Sequence, residues 1–188
     1  MPSPSRTSLV AIVREARLIL EADGLEHLTM QRVANAVGVR APSLYKHVGG
    51  RDELIRLVAV DATAELGRRL AAAVTGDARR DIGSMAHVLR AFAHELPETY
   101  RLLWSPVPAA WRPDPDVSAH AVEPLLEAMA RLTHGTDTLE AARTLTAWAH
   151  GFVSMELAGA FRLGGDVDEA FYYGIERLAG AMAGPGRS

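Results

Sequence analysis

Residues 28–54, LTMQRVANAVGVRAPSLYKHVGGRDEL, constrain the fold of this chain more than any other stretch. Leu28, Val33, Ala34 and Val37 fall on one face at helical spacing. Thr29 stands where a hydroxyl can accept a hydrogen bond from a free backbone N–H and start a helix. Gly38 can end it in the left-handed conformation at little steric cost. Pro42 suits the first turn of a second helix, predicted over about 41–47, because its missing N–H is not needed there. Leu44 and Val48, four apart, turn inward and leave Arg40, Ser43, Tyr45, Lys46 and His47 outside. Two short helices joined by a tight turn, with that exterior on the second, fit an acidic, flat-edged surface. The major groove of DNA is the simplest candidate.

The whole sequence narrows the remaining classes. Its 188 residues are enough for a small domain plus a larger one, and 48% hydrophobic content argues against overall disorder. No uncharged apolar run reaches spanning length, so no membrane segment is expected. The opening MPSPSRTS lacks the apolar core of a signal peptide, and residues 1–7 read as a short disordered arm of a cytoplasmic protein. Cysteine is absent, which excludes disulfides, zinc fingers and thiol catalysis. The net charge of −3 is unfavourable for a nucleic-acid binder, but it is unevenly spread. Residues 1–75 carry 10 basic and 8 acidic side chains, and residues 76–188 carry 10 and 15. The basic excess, with Lys46 as the only lysine, lies in the part that holds the outward-facing helix.

Taken in order, the chain reads as helices throughout. Leu9, Val13, Ala16 and Leu20 form a stripe over 8–23. A helix from about 51 to 74 opens on Asp52 and Glu53, acidic residues that match the helix dipole. Others are expected over 78–95, from Pro97 through PETYRLLW, over 116–133, from an Asp137 cap to about 163, and over 167–183. The segment SPVPAAWRPDP holds four prolines in 11 residues and cannot be helical throughout. No stretch alternates long enough for a strand, so the expected class is all-α with about nine helices.

The run from Leu28 to Val48, L-T-x-x-x-V-A-x-x-x-G-V followed by S-L-Y-x-H-V, resembles the tetracycline-repressor-like (TetR) family of bacterial transcription regulators. The likeness covers roughly residues 8–58. TAWAHGFVSMELAGAF, further on, is similar to the Trp/His-Gly signature of one C-terminal domain type in that family. The resemblance implies a helix-turn-helix DNA-binding domain over 8–55 and a helical ligand-binding and dimerisation body over 56–184. The expected partners are an operator duplex, a second copy of the chain and an unidentified small-molecule effector. Neither a cofactor nor a metal is expected.

Carried over by position, Arg40, Ala41, Pro42 and Tyr45 would face base edges, and Gln31 would reach an adenine edge or a phosphate. Thr29, Ser43, Tyr45, Lys46, His47 and Arg51 are phosphate candidates. Where the family often has another basic residue before Arg51, this chain has Gly50. Candidate pocket residues for an apolar or aromatic effector are Met85, Leu89, Phe92, Tyr100, Leu103, Trp104, Trp111, Val122, Met129, Trp148 and Phe152. Each of these types also serves as ordinary core. His87, His94, and His120 with Glu123 one turn on, are candidate polar hooks. A small-residue stripe, Ala147, Gly151, Ser154 and Ala158, together with Phe171, Ile175 and Leu178, is the candidate dimer interface. Two other classes use the same residues differently. A hydrolase would need Glu95, His94 and Ser84 or Ser105 in one site, yet no strand-turn-helix elbow, phosphate loop or HExxH accompanies them. A helical adaptor would use the outward helix on a protein.

Overall fold

The computed structural model describes residues 8–183. The expected arm over 1–7 and the tail from 184 lie outside them. Among the described residues there are nine α-helices, two short 3-10 turns and no strand, which is the expected all-α class. The helices are α1 (Leu9–Asp23), α2 (Met30–Val37), α3 (Ala41–Leu44), α4 (Arg51–Ala72), α5 (Ala78–Glu95), α6 (Pro97–Trp104), α7 (Pro115–Leu132), α8 (Thr138–Leu157) and α9 (Val167–Met182). Of the described residues, 8–65 and 96–118 form one compact unit, and 66–95 and 119–183 form another.

The first unit is built around the short helices. Ser8 caps α1 by accepting from the Ala11 N–H at 3.1 Å, and Thr29 caps α2 by accepting from the Arg32 N–H at 3.2 Å. Gly38 ends α2 with φ of 80°, and its N–H bonds back to the last turn. Ile12, Ala16, Leu28, Val33, Leu44, Leu54, Ile55 and Val58 fill the core. Beside them lies Leu102 of α6. That helix is tied to α1 by the Glu21 carboxylate. It accepts from the backbone N–H groups of Glu98 and Thr99, both at 3.1 Å, and from the Thr99 hydroxyl at 2.9 Å. A carboxylate on free first-turn N–H groups satisfies donors that the helix itself leaves open.

In the second unit, α5 packs on α8 and α9. Ile82, Met85, Leu89 and Phe92 of α5 are buried, as are Leu145, Ala149 and Val153 of α8 and Phe171 and Ile175 of α9. Asp81 is fully buried at the start of α5. It accepts from the Thr75 N–H and hydroxyl, both at 2.6 Å, from the Gly76 N–H at 3.2 Å, and from Arg131 at 2.9 Å. Burial alone would raise its pKa, but these four donors outweigh burial and hold it below the usual aspartate value. Arg90 bridges to Glu156 of α8 and, at 2.5 Å, to Asp168 of α9. Bonds from Arg90 and His94 depress the Glu156 pKa against the effect of burial.

Both ends of the eighth helix differ in detail from expectation. The eighth helix ends at Leu157 instead of near 163, because Gly159 takes a φ of 63° and the Gly159 N–H turns back to Glu156. Asp137 does not cap that helix through its side chain; its own backbone is left-handed, with φ of 53°.

Candidate nucleic-acid interface

The outward surface of the first unit is set by two buried anchors. Leu44 and Val48 are 0% and 1% exposed and pin the short α3 segment from beneath. Only Ala41–Leu44 is helical, and residues 45–47 continue as a turn, with the His47 and Val48 N–H groups both bonded to the Leu44 carbonyl. The expected helix over 41–47 is therefore one helical turn plus a tighter one. It still directs Arg40, Pro42, Tyr45, Lys46 and His47 to the surface, with Ala41 and Ser43 half-buried between them. Tyr45 keeps 55% of its surface exposed, so its ring is open to contact from outside. Neither Arg40 nor Lys46 has an ion-pair partner among the described residues. Both charges are thus available to an external anion.

The flanking candidates divide. Gln31 is exposed on α2 and donates to Asn35 Oδ1 at 2.9 Å. Asn35, not singled out from the sequence, therefore shares the outward face of Gln31; the i, i+4 spacing of two amides was the available signal. Thr29 is committed to capping, which leaves its lone pairs half-screened but aligns the start of α2. Arg51, a phosphate candidate, is engaged by the protein's own backbone. Its Nε donates to the Leu28 carbonyl at 2.8 Å and its Nη2 to the Leu25 carbonyl at 2.7 Å, and the guanidinium lies 5.7 Å from the Trp111 ring centre. The side chain is half-buried, and its Nε and one Nη2 N–H are engaged within the protein.

Residues 6–58 match the family model described as "Bacterial regulatory proteins, tetR family", and residues 82–178 match "Tetracyclin repressor-like, C-terminal domain". The chain belongs to the TetR family. An uncharacterized HTH-type transcriptional regulator of Mycobacterium tuberculosis, Rv0681, is 30% identical over 186 residues, covering 95% of this chain and 83% of that protein. The fold is also that of BioQ crystallised with its double-stranded DNA operator, at a TM-score of 0.65, 24% identity, and coverage of 95% and 99%. A TetR variant from Acinetobacter baumannii AYE in complex with minocycline gives 0.66, 19%, and 93% and 96%. This TetR-family chain is accordingly a helix-turn-helix, DNA-binding transcriptional regulator and not an enzyme. No described helix is long and apolar enough to cross a membrane.

The remaining candidates of this TetR-family member fall into separate places. Leu103, Trp104 and Trp111 line a cavity of about 420 Å³ in the first unit, along with Ala59, Leu102 and the proline-rich segment. Tyr100 is buried and stacks on Trp104 at 4.5 Å between ring centres. Burial alone pushes its phenol well above the usual range. Met85, Leu89, Phe92 and Met129 are instead core of the second unit, whereas Val122 is 41% exposed and faces out. Trp148 and Phe152 join Phe171 in an aromatic cluster, with ring centres 5.5 and 5.1 Å from it. Of the dimer candidates, Phe171 and Ile175 are 0% and 1% exposed and belong to the chain's own core, because α9 turns that face to α5 and α8. Ala147 and Gly151 are exposed on α8, Ala158 is exposed just past its end, and Ser154 and Leu178 are half-buried. His94 bonds Glu156 at 3.1 Å, and the exposed His120 pairs with Glu123 at 3.2 Å. No group of three metal-ligating side chains occurs among the described residues.

Proposed function

We propose that this regulator is a repressor that binds an inverted-repeat operator as a homodimer and is released by an apolar or aromatic small molecule in the cytoplasm. The observation that carries the DNA-facing part is the α3 turn: unpaired Arg40 and Lys46, an exposed Tyr45 and Pro42, all seated on Leu44 and Val48. Arg40 is the base reader, bonding guanine O6 and N7, and the Tyr45 ring and Pro42 pack on thymine methyl groups. Lys46, His47, Ser43 and the capped start of α2 meet phosphates.

One short turn reads too few base pairs for specificity, so two heads act together on successive major grooves, roughly 34–36 Å apart or more. The exposed Ala147 and Gly151 of α8 support close approach of a second copy, because small side chains let helices come near. The aromatic cavity walls, and the minocycline held by the Acinetobacter relative, support an effector with a flat, aromatic body. An effector acts through α4, whose residues belong to both compact units, by favouring a spacing of heads that the operator does not fit.

The test is selection of duplexes from a random 30-base-pair library, followed by binding measurements at physiological salt. The proposal expects an inverted repeat bound about 10³-fold or more tighter than scrambled duplex. Recovery of no sequence above the scrambled level would refute it.

A further inference from the structure

The proline-rich segment after α6 meets the start of α4, and the contacts there converge on one side chain. The Trp111 indole N–H donates to Asp52 Oδ1 at 2.8 Å. Its ring lies beside the Arg51 guanidinium, 5.7 Å from centre to carbon. Arg56, one turn further along α4, pairs with Asp114 at 3.4 Å. Arg51 in turn holds the carbonyls of Leu28, the residue before the Thr29 cap of α2, and of Leu25 at the start of the preceding 3-10 turn. The sequence between Leu28 and Arg51 is the helix-turn-helix itself.

We propose that Trp111 is a positioning residue for DNA binding: with Asp52 it fixes Arg51, and Arg51 locks the start of α2 to the first turn of α4. The reading surface between them is thereby held in one orientation by a residue that touches no DNA. Arg51 is then a brace and not a phosphate ligand. Two hydrogen bonds set the guanidinium on its carbonyls, and the indole beside it adds a cation–π contact that holds it there. Without the brace the head samples other orientations, and apparent affinity falls by the fraction of time the surface is competent.

The inference rests on the DNA-binding role for its affinity measurement, so a second measurement is made without DNA. Trp111→Phe, Asp52→Ala, Asp52→Asn and Arg51→Ala are compared with the wild-type chain on a duplex selected by the wild type. Trp111→Phe and Asp52→Ala are each expected to weaken binding about three- to tenfold, the range of one hydrogen bond. The slope of affinity against salt is expected to stay unchanged for both. Asp52→Ala is diagnostic in sign, because removing a carboxylate beside a polyanion strengthens binding if charge alone matters. Asp52→Asn, which keeps Oδ1, restores most of the affinity, and the double variant is no worse than the poorer single one. In the absence of DNA, Trp111→Phe speeds amide exchange over residues 29–34 with overall helix content unchanged. Wild-type affinity and exchange in Trp111→Phe and Asp52→Ala overturn the proposal. So does a fall of about 0.9 per half-site in the salt slope for Arg51→Ala, which would mark a phosphate contact. Failure of the wild type to select any duplex defeats the operator reading, and the exchange measurement then decides the brace alone.

Discussion

Glu21→Ala should detach α6 from the first unit. The Glu21 carboxylate accepts three hydrogen bonds from two residues of α6, and one donor, Thr99, is 0% exposed. Hydrogen bonds to a charged group contribute about 1.5–3 kcal/mol each, and three sharing one acceptor are not additive. Glu21 is half-buried, so water can reach the vacated site and serve the two backbone N–H groups. The buried hydroxyl is the one left worst served. A net loss of about 2–3 kcal/mol follows for the alanine variant, and about half that for Glu21→Gln, which keeps an acceptor oxygen. In a chain of this size 2–3 kcal/mol lowers Tm by about 4–12 °C. Amide exchange supplies the local signal: residues 98–104 should lose protection in Glu21→Ala, while α8 and α9 keep theirs. A Tm drop under 1 °C with unchanged exchange in α6 would show that apolar contact at Leu102, and not the carboxylate, seats that helix.

Two further outcomes follow from the second unit. Asp81 has a folded pKa below its ordinary value, so its contribution to stability is complete above that value and is lost as pH falls through the folded one. Urea midpoints should therefore decline below about pH 4 in the wild type, and Asp81→Asn should show a lower midpoint at neutral pH with a flatter acid limb; equal acid limbs contradict this role. Gly174→Ala should destabilise the chain by about 1–3 kcal/mol in urea unfolding, because a Cβ there would overlap the Trp148 ring; an unaffected midpoint would mean that the ring moves aside freely.

The local part of the fold was legible in the sequence because its causes are local. Thr29, Gly38, Leu44 and Val48 act within a turn of their own position, and each does in the structure what spacing alone suggests. The α3 segment is shorter than its pattern because residues 45–47 close on the Leu44 carbonyl, a detail that pattern does not encode. What escaped was long-range. Glu21 meets Thr99 and Trp111 meets Asp52 across 78 and 59 positions, and no periodicity links such pairs. Arg51 reads as an exposed cation from its neighbours, yet two carbonyls and an indole claim it. The same holds for Phe171 and Ile175: an apolar stripe on a last helix looks alike whether it meets its own chain or another. The eighth helix stops at Leu157 and not near 163 because Gly159 is left-handed, and a lone glycine does not announce its φ in the sequence.

The central claim is that the α3 turn reads DNA through Arg40 while Lys46 binds the backbone. The direct measurement is a salt titration of Kd for wild type, Arg40→Ala and Lys46→Ala, on the selected duplex and on versions mutated one base pair at a time. Arg40→Ala is expected to lose about 1–3 kcal/mol of discrimination at one base pair per half-site and to keep its preference elsewhere. Lys46→Ala is expected to weaken all duplexes alike and to lower the salt slope by about 0.9 per half-site. Unchanged base preference in Arg40→Ala, together with an unchanged slope in Lys46→Ala, would contradict the account.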